Sequence, residues 1–135
     1  MTGPMSGPML MVRGLSKSYA GRPVLQDVDL TVDAHEVVCL IGPSGSGKST
    51  LLRCIALLEE VDDGGIWLAG KDLSDPQADV AADRRTIGIV FQAFNLFPHM
   101  TVLDNITLAP RKVHRTGRRA ARDDARAMLS RFGLA

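Results

Sequence analysis

The chain has 135 residues, of which 45% are hydrophobic and 23% charged, and its formal net charge is +1. This composition is that of an ordinary globular domain and argues against a chain that is disordered throughout. The longest apolar runs are about five residues, far short of the ~20 that span a bilayer, and a charge near zero gives no overall attraction to nucleic acid or acidic membranes. We therefore expect a cytosolic chain without a transmembrane segment.

The first residues carry no periodic pattern. Residues 1–8 contain two Gly-Pro pairs and are expected to form a flexible tail, so that the domain would cover residues 9–135. Residues 10–15 are predicted to form a strand, and residues 20–23 a turn. Residues 28–32 alternate apolar with polar side chains, as a half-buried strand does. Two antiparallel strands are therefore expected at the start of the domain.

Residues 37–41 form a continuous apolar run that ends at a glycine. Such a run is typical of a strand that is covered on both faces in a parallel sheet. Cys39 lies in this run and Cys54 in the helix predicted after it, and the chain has no CxxC pair. This pattern supports neither a zinc site nor a disulfide, and both cysteines are expected to be small buried residues.

A glycine-rich segment follows the apolar run and leads into residues 51–58, which have helical periodicity. The segment fits the pattern GxxxxGK[ST], in which glycines let the backbone curl so that successive N–H groups point at an anion. The start of the next helix adds its partial positive charge. Lys48 is then placed to reach the β- and γ-phosphates, and the Ser49 hydroxyl to ligate Mg²⁺. The pattern predicts that the chain binds a nucleoside triphosphate.

The predicted phosphate-binding residues are Gly42, Pro43, Ser44, Gly45, Ser46, Gly47, Lys48, Ser49 and Thr50. The alternative interpretation is a glycine-rich turn between a buried strand and a buried helix. A lysine at the mouth of such a turn would face no anion.

Beyond this loop the pattern predicts five further segments. Residues 59–65 form an acidic turn with glycine as a helix stop, and residues 66–68 a short strand on which Trp67 is expected to pack. After a turn at residues 69–72, residues 75–84 are expected to form a short polar helix. Residues 87–91 are expected to form a second buried strand.

Two helices are predicted near the end of the chain. Thr101 is a suitable N-cap for a helix over residues 102–109, which Pro110 would close. The second helix begins near Arg118 and ends at Gly133 as its C-cap. Its expected apolar face consists of Ala121, Ala125, Met128, Leu129 and Phe132.

The connection between these helices is basic. Residues 109–122 contain six arginine and lysine residues and no acidic one. Such a stretch could contact a phosphate backbone, but no aromatic residue is interleaved for base stacking. We therefore expect a solvated loop and helix face, and no nucleic-acid partner.

Many protein families contain a phosphate-binding loop, and the segments on either side of it indicate which family this chain resembles. Upstream lies Leu15-Ser16-Lys17-Ser18-Tyr19, and downstream a segment that begins Phe91-Gln92-Ala93-Phe94-Asn95. With these flanks the chain resembles the ATP-binding subunits of ABC transporters from about Met9 onwards. The resemblance implies an α/β fold with a P-loop NTPase core, a parallel sheet with flanking helices, plus an N-terminal antiparallel β-subdomain, incomplete in this chain.

The resemblance also assigns roles to two residues outside the loop. Tyr19 is similar to the aromatic residue that stacks on adenine, and Gln92 to the glutamine of the Q-loop, which approaches Mg²⁺ and the attacking water. Lys48 and Gln92 would then be the catalytic residues of this chain, and Ser49 and Gln92 the metal ligands. Taken alone, Tyr19 could be an ordinary tyrosine at a strand end, and Gln92 a polar strand terminus.

Residues 91–106 are most similar to the subgroup of importers that take up polar amino acids. One departure concerns the turn before Glu36, where such subunits usually have glycine and this chain has His35. The turn is therefore expected to be strained or differently shaped, with His35 exposed.

The resemblance implies ATP and Mg²⁺ as cofactors, and permease subunits and a second ATP-binding subunit as partners. The subunit would be peripheral, at the cytoplasmic face of the membrane. The family's signature motif, paired carboxylates and switch histidine would all lie beyond Ala135. We therefore expect this chain alone to be inactive as an ATPase, with residues 37–41 lacking strands to pair with.

Two other functions stay open at this point. One is a truncated nucleotide-binding fragment without turnover, and the other a small P-loop kinase. A kinase would need a lid rich in arginine, for which residues 111–122 are a weak candidate, whereas Gln92 and the segment after it favour the transporter subunit.

Overall fold

The computed structural model describes residues 7–75 and 79–134. These residues form two compact units, one up to Ile89 and one from Val90 on, and each is described by itself. Residues 1–6 of the predicted tail, and residues 76–78 of the helix predicted over residues 75–84, lie outside the described residues.

The first unit begins with a long hairpin. Strand β1, Leu10–Tyr19, pairs antiparallel with strand β2, Arg22–Val32. Ala20 and Gly21 form the turn with φ values of 49° and 75°, the left-handed pair that matches the twist of a tight hairpin. The two predicted antiparallel strands are confirmed, and both extend further toward the turn than the alternation of side chains indicated.

The hairpin belongs to a four-stranded antiparallel sheet of order β2-β1-β3-β4, with β3 at Asp63–Leu68 and β4 at Lys71–Asp72. The predicted strand over residues 66–68 is thus confirmed. Trp67 is half-buried, and its ring covers Gly65 so closely that a Cβ there would overlap the ring. Trp67 is therefore a packing residue of the sheet, as expected.

Helix α1, Lys48–Ile55, contributes to the core of this unit through Leu51 and Cys54. The core consists of Val12, Leu15, Leu25, Leu51, Cys54, Ile66 and Leu73. Burial raises the pKa of the Cys54 thiol, so this cysteine is a small apolar core residue, as predicted. The helix ends at Ile55, earlier than its apolar periodicity indicated.

The short helix α2, Val80–Arg84, is tied to the rest of the unit by charged side chains. Asp83 is buried and forms an ion pair with Lys71 of β4. The Arg84 guanidinium donates from Nε to the carbonyl oxygen of Leu57, just after α1, at 2.8 Å. The predicted polar helix is confirmed over residues 80–84.

The two buried parallel strands predicted for residues 37–41 and 87–91 are wrong. Neither run forms a strand, and Val37 and Val90 are 88% and 98% exposed. A strand covered on both faces needs neighbours along both edges, and within residues 7–75 and 79–134 no strand pairs with either run. Cys39 is consequently exposed, contrary to expectation.

The second unit contains helices α3, Val102–Lys112, and α4, Arg118–Arg131. Thr101 caps α3 as predicted, since its Oγ1 accepts from the Asp104 N–H at 3.1 Å. Pro110 does not close this helix: the Val113 N–H donates to the Ala109 carbonyl oxygen at 2.8 Å. A proline in the last turn removes only its own N–H, so the turn can continue beyond it.

Gly133, with φ 70°, ends α4 as predicted, and the Leu134 N–H donates back to the Leu129 carbonyl oxygen at 2.9 Å. Only part of the apolar face predicted for α4 is buried. Ala121 and Ala125 are buried, whereas Met128 and Phe132 are exposed.

Candidate nucleotide-binding site

The glycine-rich loop is seated against strand β2. Gly47 has φ 88°, and a Cβ added there would lie 2.8 Å from Leu25 Cδ2 and 2.9 Å from the Val24 carbonyl oxygen. Gly45 also has a left-handed backbone, with φ 82°. These conformations favour glycine, and at Gly47 the neighbouring strand excludes any side chain. The glycine that precedes Lys48 in the pattern therefore has a steric cause in this structure.

The loop ends at the N-terminus of α1. Gly47 is the N-cap residue and supplies no side-chain cap, and the first turn contains no acidic residue. The first N–H groups of a helix have no intrahelical partner, and the helix dipole places partial positive charge there. This end of α1 is thus free to accept an anion through its backbone.

The Lys48 ammonium lies within the loop. Its Nζ donates to the carbonyl oxygens of Gly42 and Pro43, at 2.9 and 2.6 Å, and to Ser46 Oγ at 3.1 Å. The cation is therefore held over the mouth of the loop by acceptors that phosphate oxygens could replace. The predicted role of Lys48 toward the β- and γ-phosphates stays a prediction.

A cleft of about 530 Å³ opens at the loop. Its walls are apolar on the β2 side, with Leu25 and Val28, and polar where the loop contributes Ser46 and Lys48. Among the described residues that line it there is no aspartate or glutamate. The cleft thus offers cationic and N–H donors to an anion and no carboxylate that would repel one.

Ser49 and Thr50 occupy the first turn of α1. Ser49 is exposed, and within the described part of the chain its hydroxyl has no hydrogen-bond partner. Mg²⁺ in nucleotide sites takes few protein oxygens and the rest from phosphates and water. A single accessible hydroxyl beside the Lys48 loop fits this requirement, so Ser49 could hold such an ion together with a bound triphosphate.

Tyr19 lies at the end of β1, opposite Arg22 of β2. Val24 lies two residues further along β2 than Arg22. Its carbonyl oxygen is the one that would lie 2.9 Å from a Cβ at Gly47. Because a strand advances about 3.3 Å per residue, Arg22 and Val24 are about 7 Å apart along β2, and Tyr19 itself does not line the cleft at the loop. The tyrosine is 40% exposed, so its ring is accessible from solvent.

A charged network supports this end of β1. Lys17 Nζ lies 3.2 Å from Asp62 Oδ1 and 5.4 Å from the centroid of the Tyr19 ring. The other oxygen of Asp62 accepts from the Ser18 N–H at 2.6 Å. The Ser18 N–H, together with Lys17, lowers the pKa of the Asp62 carboxyl, so at neutral pH this residue is an anion. Sequence reasoning missed this network, because Lys17 and Asp62 are far apart in the chain and no local pattern joins them.

The turn before the apolar run has the expected irregularity. His35 is exposed and has φ 67°, a conformation in which glycine is less strained. The Asp33 N–H donates to the Glu36 carboxylate at 2.8 Å and closes the turn. The prediction for His35 is confirmed.

Gln92 belongs to the second unit and is exposed. Its role beside Mg²⁺ stays a prediction. The segment that follows it is organised by Asn105 of α3, whose side-chain oxygen accepts from the Phe97 N–H at 2.8 Å. The Asn105 amide also donates to the carbonyl oxygens of Phe97, Met100 and Thr101. The Asn105 side chain thus holds the backbone at Phe97, Met100 and Thr101, while Phe94 is 94% exposed.

The basic stretch also lies in the second unit. Arg118, Arg119, Arg122 and Arg126 line a shallow surface depression on α4 together with Asp123. No aromatic ring lines this depression in the described part of the unit. Arg118, Arg119, Asp123 and Arg126 are exposed, as expected for a solvated helix face, whereas Arg122 is half-buried.

The chain is similar in sequence to one family profile and to ATP-binding proteins of amino-acid transporters. A sequence profile described as "ABC transporter" matches residues 25–135. The glutamine transport ATP-binding protein GlnQ of Geobacillus stearothermophilus is 47% identical over 93% of this chain and 52% of its own length. The arginine transport ATP-binding protein ArtM of Bacillus subtilis is 44% identical over 93% of this chain and 52% of its own. The chain thus spans about half the length of these relatives.

Among solved structures, the ATP-binding cassette MJ0796, a dimer in a post-hydrolysis state bound to ADP and Pi, superposes with a TM-score of 0.81. It is 32% identical and is matched over 90% of this chain and 56% of its own. This likeness confirms the predicted fold class. In the described part of this chain, however, the one sheet that forms is antiparallel, and it is accompanied by helices α1 to α4.

Proposed function

The chain belongs to the ABC transporter family, and on that premise we propose that it binds Mg²⁺-ATP as part of a subunit that energises an importer of polar amino acids. The observation that carries this proposal is the Lys48 loop, seated on β2 and opening at the uncapped N-terminus of α1. Glutamine and arginine are the solutes in the names of the relatives. The amino-acid class is taken from those names.

The residues of the loop would act mainly through electrostatics. Phosphoryl transfer is catalysed by positioning and by neutralising charge on the phosphate oxygens. Lys48 and the N–H groups at the start of α1 would bind the β- and γ-phosphates, and Ser49 would hold Mg²⁺. The ion, when bound, neutralises charge between the phosphates. Gln92 would reach the metal and the attacking water, and Tyr19 would stack on the base.

We further propose two kinds of partner. A second ATP-binding subunit is supported by the dimeric state of the MJ0796 structures. Permease subunits are supported by the transport function in the names of the relatives. The position of the subunit would be the cytoplasmic face of the membrane, where ATP is available. Within the described residues no helix is long and apolar enough to cross a bilayer.

The 135-residue chain measured alone is expected to bind Mg²⁺-ATP but to release no phosphate above background. The reason is that the described residues lining the cleft include no carboxylate that could orient a water molecule. The measurement is phosphate release by monodisperse protein, with calorimetric titration for binding. Lys48→Ala serves as the control for contaminating ATPases, and steady turnover that this substitution abolishes would contradict the expectation.

Phe97→Asp is expected to uncouple transport from ATP binding. The segment after Gln92 presents the exposed side chains of Phe94, Leu96 and Phe97, and Asn105 holds the backbone at Phe97. Exposed apolar side chains that are close in the chain are typical of a docking surface. We propose that a short helix of the permease covers them. The alternative is that the segment packs onto its own domain.

This prediction is tested in a chimera in which residues 9–134 replace the matching part of the Geobacillus protein within its transporter. Amino-acid uptake and ATP affinity are measured for Phe97→Asp and for Phe97→Leu, which keeps the side chain apolar. We expect uptake to be lost in the first variant only, with ATP affinity unchanged in both. Normal uptake by Phe97→Asp would favour the alternative.

A further inference from the structure

We propose that Lys17, held by Asp62, is a positioning residue that fixes the Tyr19 ring as the surface on which the base of the nucleotide stacks. The inference rests on the proposed function, because it presupposes that a nucleotide binds with its base at Tyr19. It adds a role for two residues that belong neither to the phosphate loop nor to the predicted ligand set.

The first step is that Asp62 is hydrogen-bonded through both carboxylate oxygens and through its backbone. Its Oδ2 accepts from the Ser18 N–H at 2.6 Å, its Oδ1 accepts from Lys17, and its backbone N–H donates to the Ser16 carbonyl oxygen at 3.0 Å. These bonds join the turn before β3 to three successive residues of β1. A carboxylate fixed on both sides in this way offers a fixed partner to a cation.

The second step is that Lys17 is confined between Asp62 and Tyr19. Its side chain is only 13% exposed, unusually low for a lysine on the surface of a sheet. The pairing of β1 with β2 is irregular between Lys17 and Ser18, and the Lys17 ammonium lies 5.4 Å from the centroid of the tyrosine ring. This distance is within the range in which a cation is attracted to the face of an aromatic ring.

The third step concerns what this contact leaves free. Tyr19 is 40% exposed to solvent, and it pairs with Arg22 in β2, the strand whose Val24 borders Gly47. A tyrosine ring that Lys17 restrains from the protein side has fewer accessible rotamers even before a nucleotide binds. Stacking by a base then costs less entropy, as for any preorganised binding group.

The competing interpretation is that the Lys17–Asp62 pair only ties β1 to the turn before β3. Such a tie would affect folding, and through folding every ligand of the site equally. A positioning role predicts instead an effect that depends on the base. Inorganic tripolyphosphate carries the phosphates without a base, so it separates the two.

The experiment measures the affinity of the 135-residue chain for Mg²⁺-ATP and for Mg²⁺-tripolyphosphate by calorimetry. Tyr19→Ala is expected to weaken ATP binding about fivefold or more, and Lys17→Met and Asp62→Asn about two- to fivefold each. Tripolyphosphate affinity should stay the same in all three. In the double variant Tyr19→Ala/Lys17→Met the second substitution should have no further effect on ATP. The control is Arg13→Met, which removes a cation from the same strand and breaks the exposed pair with Asp29.

The outcomes separate the inference from its premise. If Tyr19→Ala weakens ATP binding and Lys17→Met does not, the positioning role of Lys17 is overturned, while Tyr19 is still supported as the surface on which the base stacks. If Lys17→Met weakens ATP and tripolyphosphate equally, the pair is a structural tie and the inference is overturned. If Tyr19→Ala binds ATP as the parent does, Tyr19 is not the surface on which the base stacks, and the inference about Lys17 is overturned as well.

A second measurement needs no ligand. Tyr19 is the only tyrosine in the chain, so any tyrosine ring current at Lys17 comes from it. The Lys17 ε-methylene protons should be shifted upfield in the NMR spectrum of the parent and return to the ordinary lysine position in Tyr19→Leu. An ordinary position in the folded parent would overturn the contact on which the inference depends.

Discussion

Replacing Lys48 by alanine is expected to weaken the binding of Mg²⁺-ATP about tenfold to over a hundredfold, because hydrogen bonds to charged groups contribute about 1.5 to 3 kcal/mol. The substitution removes the cation that lies over the mouth of the loop. It also leaves the carbonyl oxygens of Gly42 and Pro43 without their donor, at 2.9 and 2.6 Å in the parent. These oxygens would then face the phosphates directly and oppose their approach.

The affinity is measured by calorimetry on protein whose folded state is verified by circular dichroism. Lys112→Ala removes the same charge from the last turn of α3, in the second unit, and should leave the affinity unchanged. Lys48→Arg keeps the charge with a wider head group. An unchanged ATP affinity in folded Lys48→Ala protein would refute the assignment of the phosphate loop.

Gly64→Ala is expected to lower the free energy of unfolding of the first unit by about 2 to 5 kcal/mol. Gly64 has φ 87°, and a Cβ there would lie 2.5 Å from the Arg13 carbonyl oxygen and from the Gly14 carbonyl group. Both neighbours are backbone of β1 and cannot rotate away. The substitution must therefore separate β3 from β1 or distort both strands, in addition to the cost of a left-handed alanine.

Gly70→Ala is the matched control. Gly70 has φ 79° and nothing within 4 Å of an added Cβ, so only the conformational cost of about 1 to 2 kcal/mol applies. Urea denaturation followed by the fluorescence of Trp67, the single tryptophan, gives both values. Equal losses in the two variants would show that the approach of β1 to β3 is not as close as described.

Local signals in the sequence predicted most of the fold. The turn at Gly21, the cap at Thr101 and the stop at Gly133 each depend on a few adjacent residues, and the structure has all three. The phosphate loop is also local, since its glycine spacing encodes the backbone conformation. The exposure of His35 and the burial of Cys54 followed in the same way.

Long-range partners account for what sequence reasoning missed. The apolar runs at residues 37–41 and 87–91 have the composition of buried strands, but a strand forms only where another strand offers its backbone groups. Composition does not say whether such a strand is present. The Lys17–Asp62 pair and the bonds of Asn105 depend likewise on distant contacts. Pro110 differs, because the rest of α3 outweighs the one hydrogen bond that a proline removes.

The stretch between Val32 and Asp63 carries the entire phosphate loop and α1, and its two ends belong to strands that lie on opposite sides of β1. The β1–β2 hairpin can form in about 1 to 10 μs, because its turn is tight. Pairing of β3 must close a far longer segment, and this loss of chain entropy makes it a later event. The surface of α1 that carries Leu51 and Cys54 then gains Ile66 as a core partner. We therefore expect the core contacts of α1 with β3 to form after the hairpin, although the loop itself is encoded by nine consecutive residues.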